Sequence, residues 1–197
     1  LVLCFLVTVL RTRWADLRAA RPSALALVWG AVLGFATVGA VAATWWTAAL
    51  CFFTLGLAGL LLIDGTASAR RSCAGASPGL LFALLMVVIA LLLIVSVEFI
   101  YLRDVFDSRM NTVFKFYYQG WLLLSLAGAY GVYHVLSELQ REHRAGKVLN
   151  GAWLALSALL ILGGLSYTTA ATVSKANGFT GTATLNGTEY VARQRPQ

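Results

Sequence analysis

The chain has 197 residues, of which 59% are hydrophobic and only 12% are charged, and its formal net charge is +7. A soluble domain carries about 25% charged residues, so this composition excludes a soluble globular protein. It predicts an all-α fold, a polytopic transmembrane helix bundle whose partner is the lipid bilayer. The positive charge lies in alternate short loops, as is typical of membrane proteins, and we expect no nucleic-acid partner.

The apolar runs predict one partial span followed by five complete spans. The first run, residues 1–10, is short, because a bilayer core of about 30 Å needs about 20 helical residues. We interpret it as the tail of a helix and the chain as an interior slice of a larger protein. The complete spans are predicted at the following positions: 23–43, 46–63, 79–98, 116–136 and 152–171. They define a transmembrane domain over 1–171 and a tail over 172–197.

The basic residues predict the orientation of these spans. The loops 11–22, 64–77 and 137–150 together hold nine Lys and Arg residues, and such loops remain on the cytoplasmic side. The link 99–115 and the tail are therefore expected on the extracytoplasmic face of the plasma membrane. The tail alternates apolar and polar residues around Asn186-Gly187, which predicts an external β-hairpin leading to a missing extracytoplasmic domain.

Local signals predict how the helices begin and pack. Ser77 followed by Pro78 is typical of an N-cap and a first helical residue. Small residues in membrane helices allow close helix approach, and we expect those of this chain to pack within the bundle. They are Gly30, Gly34, Gly56, Gly59, Ala127, Gly131, Gly163 and Gly164.

The segment 98–121, EFIYLRDVFDSRMNTVFKFYYQGW, carries the candidate chemistry. It holds three of the eight acidic residues of the chain, Glu98, Asp104 and Asp107. A carboxylate at the membrane face can act as a base or bind a divalent metal ion. We predict catalytic roles for Glu98 and Asp104; the spacing specifies no metal site, and a divalent ion stays one option.

The same segment also offers groups that suit a lipid-linked sugar. Its cations can bind a phosphate at the lipid surface, because Arg forms bidentate hydrogen bonds to phosphate oxygens. Its neutral polar and aromatic groups suit sugar hydroxyls, although the aromatic residues are equally typical of a membrane-interface belt. The predicted substrate-binding residues are Arg103, Arg109, Asn111, Lys115, Tyr117, Tyr118 and Gln119.

The segment resembles the signature of the YYY membrane protein family of Chloroflexi and archaea (domain of unknown function 2298). The specific part is the run from Arg109 to Gln119, RMNTVFKFYYQ. The tail segment TLNGTEY, residues 184–190, is similar to a TLDG-x-x-Y segment of that family, with Asn186 in place of its Asp. The resemblance covers about 80–193 of this chain and identifies it as part of the C-terminal membrane half.

The resemblance implies a relation to multi-span glycosyltransferases of the GT-C type, which transfer a sugar from a polyprenyl-phosphate donor at the external face. The Asp-Pro-Trp and Asn-Tyr-Tyr-Tyr motifs of the family's first half are absent here, so the general base is expected outside this chain. Two other functions stay open from the residues alone. The same cations suit a transporter or flippase of a lipid-linked or anionic solute, and the charged link suits a scaffold that binds a partner protein.

Overall fold

A computed structural model describes residues 2–19, 22–71, 76–100, 109–139, 144–176 and 178. Over these residues the fold is all-α, as predicted, and no strand is present in them. The helices are α1 (Val2–Thr12), α2 (Trp14–Ala19), α3 (Ala24–Ala42), α4 (Trp46–Arg71), α5 (Pro78–Phe99), α6 (Met110–Leu139) and α7 (Arg144–Lys175). Five of them, α3 to α7, are long and apolar enough to cross a membrane. The chain forms two compact units, Leu1–Leu154 and Ala155–Gln197.

Three of the five spanning helices are longer than the sequence predicts. The helix α4 continues past residue 63 to Arg71, and α6 begins at Met110 instead of residue 116. The helix α7 starts before residue 152 and continues to Lys175. The second part of the predicted 99–115 link is therefore the first turns of α6. The predicted hairpin at Asn186-Gly187 lies outside the described residues.

The helices α3 to α6 pack as successive antiparallel neighbours, and α1 fills the space beside α4 and α6. Although α1 has only 11 residues, Phe5, Leu6 and Val9 are fully buried. They share one apolar core with Leu61 of α4 and Leu84 of α5. The partial span is thus a central packing element of the first unit.

Glycines set the closest helix contacts, as their small size in lipid suggests. The indole N–H of Trp29 on α3 donates a hydrogen bond of 3.3 Å to the carbonyl oxygen of Gly56 on α4. A Cβ atom at Gly59 would overlap the same indole, and one at Gly131 would lie 2.8 Å from the Cβ of Phe5. The prediction of close packing is wrong for Gly34, around which no described atom lies within 4 Å of an added Cβ.

A helix cap on α5 and an ion pair between the end of α1 and α4 stabilise the ends of these helices. Ser77 is the N-cap of α5, its hydroxyl accepts a hydrogen bond from the N–H of Leu80, and Pro78 opens the helix, as predicted. Arg13 and Asp64, both assigned to loops from the sequence, instead form an ion pair with an Nη2–Oδ2 distance of 3.4 Å. Their side chains are only 10% and 18% exposed, so this pair ties the end of α1 to α4 inside the bundle.

We predict that Gly59→Ala lowers the free energy of unfolding by about 1–3 kcal/mol, because the new methyl group forces Trp29 out of its hydrogen-bonded position. The matched control is Gly34→Ala on α3, where space is open and no loss is expected. Urea unfolding in mild detergent, followed by tryptophan fluorescence, measures both variants. Equal stability of the two variants would contradict the close α3–α4 contact.

We also predict that Asp64→Ala costs about 3–5 kcal/mol, since it leaves the Arg13 guanidinium buried without a compensating charge. The comparison variant is Glu98→Ala, which removes a carboxylate from a half-exposed ion pair and should cost less than about 1 kcal/mol. The double variant R13M/D64L removes both charges and should recover most of the loss. Thermal unfolding of the purified proteins gives the order of stability.

Candidate functional site at the end of α5 and α6

Close antiparallel packing of α5 on α6 positions the candidate site. At the far end of the pair, Gly79 of α5 faces Tyr130 of α6, and near the site Gly120 of α6 faces Ile94 of α5. A Cβ atom at Gly120 would lie 3.0 Å from Ile94, so the two backbones approach closely there. The last turn of α5 is therefore held beside the first turns of α6.

Glu98 is the centre of the cluster that this packing creates. The Tyr117 hydroxyl donates a hydrogen bond of 3.1 Å to its Oε1, and the Nη1 of Arg109 lies 3.5 Å from its Oε2. The Arg109 and Glu98 side chains are 57% and 51% exposed. Among the described residues, each carboxylate oxygen thus has one partner, and both side chains of the ion pair stay half exposed.

Helix lengths place this cluster at one boundary of the bilayer. The 22 residues of α5 span about 33 Å, close to the hydrocarbon thickness of about 30 Å. Glu98, next to the last residue of α5, therefore lies at the membrane surface, and Tyr117 lies at the same level. The residues of α6 before Tyr117 extend about 10 Å beyond that level.

A shallow, open apolar groove of about 420 Å³ lies next to the cluster, and its described lining comes from α6 alone. The rings of Phe114 and Tyr118 stack with centroids 6.5 Å apart, and those of Tyr118 and Trp121 are 6.1 Å apart. Tyr117 is part of both the groove and the Glu98 cluster, since its ring lines the groove while its hydroxyl donates a hydrogen bond to Glu98. The lining residues are Met110, Val113, Phe114, Tyr117, Tyr118 and Trp121.

The structure separates the residues predicted to act together. Glu98, Arg109 and Tyr117 meet, and Tyr118 lines the groove. Lys115 is exposed and lies about 120° around the helix axis from Arg109. The remaining predicted residues of the segment divide into two sets. Asn111 and Gln119 share the exposed strip of Lys115, and Arg103, Asp104 and Asp107 lie outside the described residues.

Metal binding is the other role that a carboxylate at the membrane face can have. Among the described residues, no group of three or more His, Cys, Asp or Glu side chains comes together. Both oxygens of Glu98 already face Tyr117 and Arg109. The described part of the site thus forms an ion pair and a hydrogen bond, and it assembles no metal-ligand set.

Sequence reasoning missed the pairing of Glu98 with Tyr117, which are 19 positions apart. The end of α5 and the start of α6 could have indicated this pairing. If α5 ends at Phe99 and α6 starts at Met110, antiparallel packing brings the end of α5 to the early turns of α6. The sequence did not indicate that α6 starts at Met110, because the run 109–115 is too polar to be assigned to a membrane helix.

Comparison with protein families identifies the chain. A family model described as uncharacterized membrane protein matches residues 1–124. The chain belongs to this family, DUF2298. The match includes the segment 98–121 and all of α1 to α5, whereas the resemblance of the tail beyond residue 124 stays a prediction. No curated protein and no solved structure matches the chain. The family and the five apolar spans make it a multi-pass membrane protein.

We predict that Glu98 and Arg109 contribute little to stability, because a half-exposed ion pair is worth about 0–1 kcal/mol. A double-mutant cycle with Glu98→Gln and Arg109→Gln, measured by thermal unfolding in detergent, should give a coupling energy below about 1 kcal/mol. A coupling above about 2 kcal/mol would show that the pair serves mainly as a structural clamp between α5 and α6.

Proposed function

We propose that the chain is part of a GT-C-like glycosyltransferase that moves a sugar from a polyprenyl-phosphate donor at the external membrane face. The observation that carries this proposal is the junction of a polar cluster and an apolar groove at Tyr117. A lipid phosphate needs a cation at the membrane surface and an apolar surface below it. Arg109 supplies the cation, and the part of the α6 groove formed by Tyr118 and Trp121 lies on the membrane side of Tyr117.

Arg109 is the proposed phosphate ligand. It contacts Glu98 through Nη1 at 3.5 Å, and a guanidinium carries five N–H donors in a planar fork. Among the described contacts, one nitrogen is therefore engaged, and further donors can bind phosphate oxygens. Because the side chain is more than half exposed, an anionic head group can reach it from the lipid surface without moving a helix.

Glu98 and Asp104 are proposed to orient the acceptor. In the transfer step, an acceptor hydroxyl oxygen bonds to the anomeric carbon while the bond from that carbon to the phosphate oxygen breaks. The acceptor proton goes to a carboxylate base, and the polyprenyl phosphate leaves with the bonding electrons. Cations near the leaving phosphate stabilise the charge that develops on it, which is the role of Arg109. Arg103 and Lys115 are candidates for additional phosphate contacts, and Asn111, Tyr118 and Gln119 for contacts with sugar hydroxyls.

We predict that Arg109→Ala lowers sugar transfer at least about tenfold, because it removes a charge-assisted contact worth about 1.5–3 kcal/mol. Lys147→Ala is the control, since Lys147 is an exposed cation on α7 that belongs to neither proposed site, and transfer should stay near the wild-type level. The measurement is product formation from a polyprenyl-phosphate sugar by the full-length parent protein in nanodiscs, detected by mass spectrometry. Membrane insertion of each variant is checked by gel filtration.

Three outcomes separate the possible functions. Transfer that falls in Arg109→Ala and persists in Lys147→Ala supports the proposed phosphate ligand. Unchanged transfer in both variants overturns that assignment. Binding of the donor without transfer favours a transporter or flippase, whereas neither binding nor transfer leaves a scaffold as the better interpretation.

A further inference from the structure

A second cavity lies at the opposite end of the bundle from Glu98. It has a volume of about 330 Å³ and is formed by α1, α2, the start of α3 and the second half of α4. This volume is within the usual range for small-molecule sites, which are mostly apolar with a few placed polar groups. The described lining of the cavity belongs wholly to the first compact unit, and none of it is shared with the described lining of the α6 groove.

The cavity is polar at one end and apolar at the other. Asp64 of α4 and Ser23, the N-cap of α3, line its polar end. Leu60 and Leu57, one and two turns earlier on α4, line the apolar end, about 6–10 Å deeper in the bilayer. Asp64 itself lies about 27 Å along α4 from Trp46, near the second bilayer boundary. A cavity with this gradient suits an amphiphile that enters from the lipid.

The two charged side chains at the polar end do not satisfy all of each other's hydrogen-bonding groups. Asp64 faces Arg13 at 3.4 Å, yet its buried Oδ2 has no hydrogen-bond partner among the described residues. The buried Nε of Arg13, whose side chain is nine-tenths buried, has none there either. A buried carboxylate normally accepts several hydrogen bonds. Oδ2 itself is covered, but Asp64 lines the cavity and its side chain stays 18% exposed, so a ligand in the cavity can donate a hydrogen bond to the accessible part of this carboxylate.

Positive charge flanks the same cavity. The first backbone N–H groups of α3 follow Ser23, and a helix N-terminus attracts phosphate. The Arg18 guanidinium lies 4.6 Å from the centre of the Trp14 ring, and Trp14 lines the cavity. A ligand with both an anionic and a cationic group can therefore find complementary charge at this end.

We propose that this cavity binds a phospholipid with a primary-amine head group, its ammonium on Asp64, its phosphate at the start of α3 and its chain along Leu60 and Leu57. A primary ammonium offers three N–H donors, whereas a choline head group offers none. The inference is independent of the proposed sugar transfer, because the two sites have no described residue in common.

The test uses the purified protein in detergent, exchanged into defined lipids and examined by native mass spectrometry. The probes are phosphatidylethanolamine, phosphatidylcholine and phosphatidylglycerol with identical acyl chains. Wild type should retain phosphatidylethanolamine about tenfold more strongly than phosphatidylcholine, because a hydrogen bond to a charged group is worth about 1.5–3 kcal/mol. Asp64→Asn should reduce that preference to near unity.

A pair of matched variants tests the cavity without touching its charges. Ala67 lines the cavity one turn from Asp64, so Ala67→Phe fills it and should lower phosphatidylethanolamine retention about tenfold. Ala69 is exposed on the same helix, and Ala69→Phe should bind like wild type. Ala26→Leu fills the cavity from α3 and serves as a second variant if Ala67→Phe unfolds.

Two kinds of result would contradict the proposed lipid site. Equal retention of the choline lipid, or stronger retention of phosphatidylglycerol, overturns the choice of an amine head group. Retention that survives both Ala67→Phe and Ala26→Leu in folded protein overturns the cavity as the binding site. Sugar transfer is not part of this assay, so its presence or absence cannot change the outcome.

Discussion

The close contact between α6 and its neighbours is the constraint on which the rest of the first unit depends. In lipid there is little hydrophobic driving force between helices, so packing and small residues decide how they meet. Because Gly120 has no side chain, Ile94 of α5 packs closely against it, and Phe5 of α1 packs in the same way against Gly131. These two contacts fix the height of α6 along the bundle. That height brings Tyr117 and Arg109 to Glu98.

The two ends of the bundle use charge in different ways. At one end, Arg13 and Asp64 are mostly buried, and each compensates the desolvation of the other. At the other end, Glu98 and Arg109 are half exposed and lose little solvation by meeting. A buried pair is costly to break and ties helices together. An exposed pair can open for a ligand at little cost, which suits a binding role for Arg109.

Both candidate sites lie where apolar and polar surroundings meet. Tyr117 joins the polar cluster to the α6 groove at one boundary, and Asp64 joins an ion pair to an apolar cavity near the other. Tyrosine and tryptophan suit such positions, because one part of the side chain is apolar and another donates a hydrogen bond. Each site thus matches an amphiphile better than a fully water-soluble molecule.

The sequence by itself determined the membrane class, the number of complete spans, the Ser77 cap and the family, because these depend on local hydrophobicity and motif. It placed the candidate chemistry in the segment 98–121. Only the tertiary structure decided which residues meet. Arg109 and Lys115 are close in sequence but lie on different faces of α6, while Arg13 and Asp64 are remote in sequence and form a buried pair. Helix length and packing decide such pairings, and hydropathy carries no information about them.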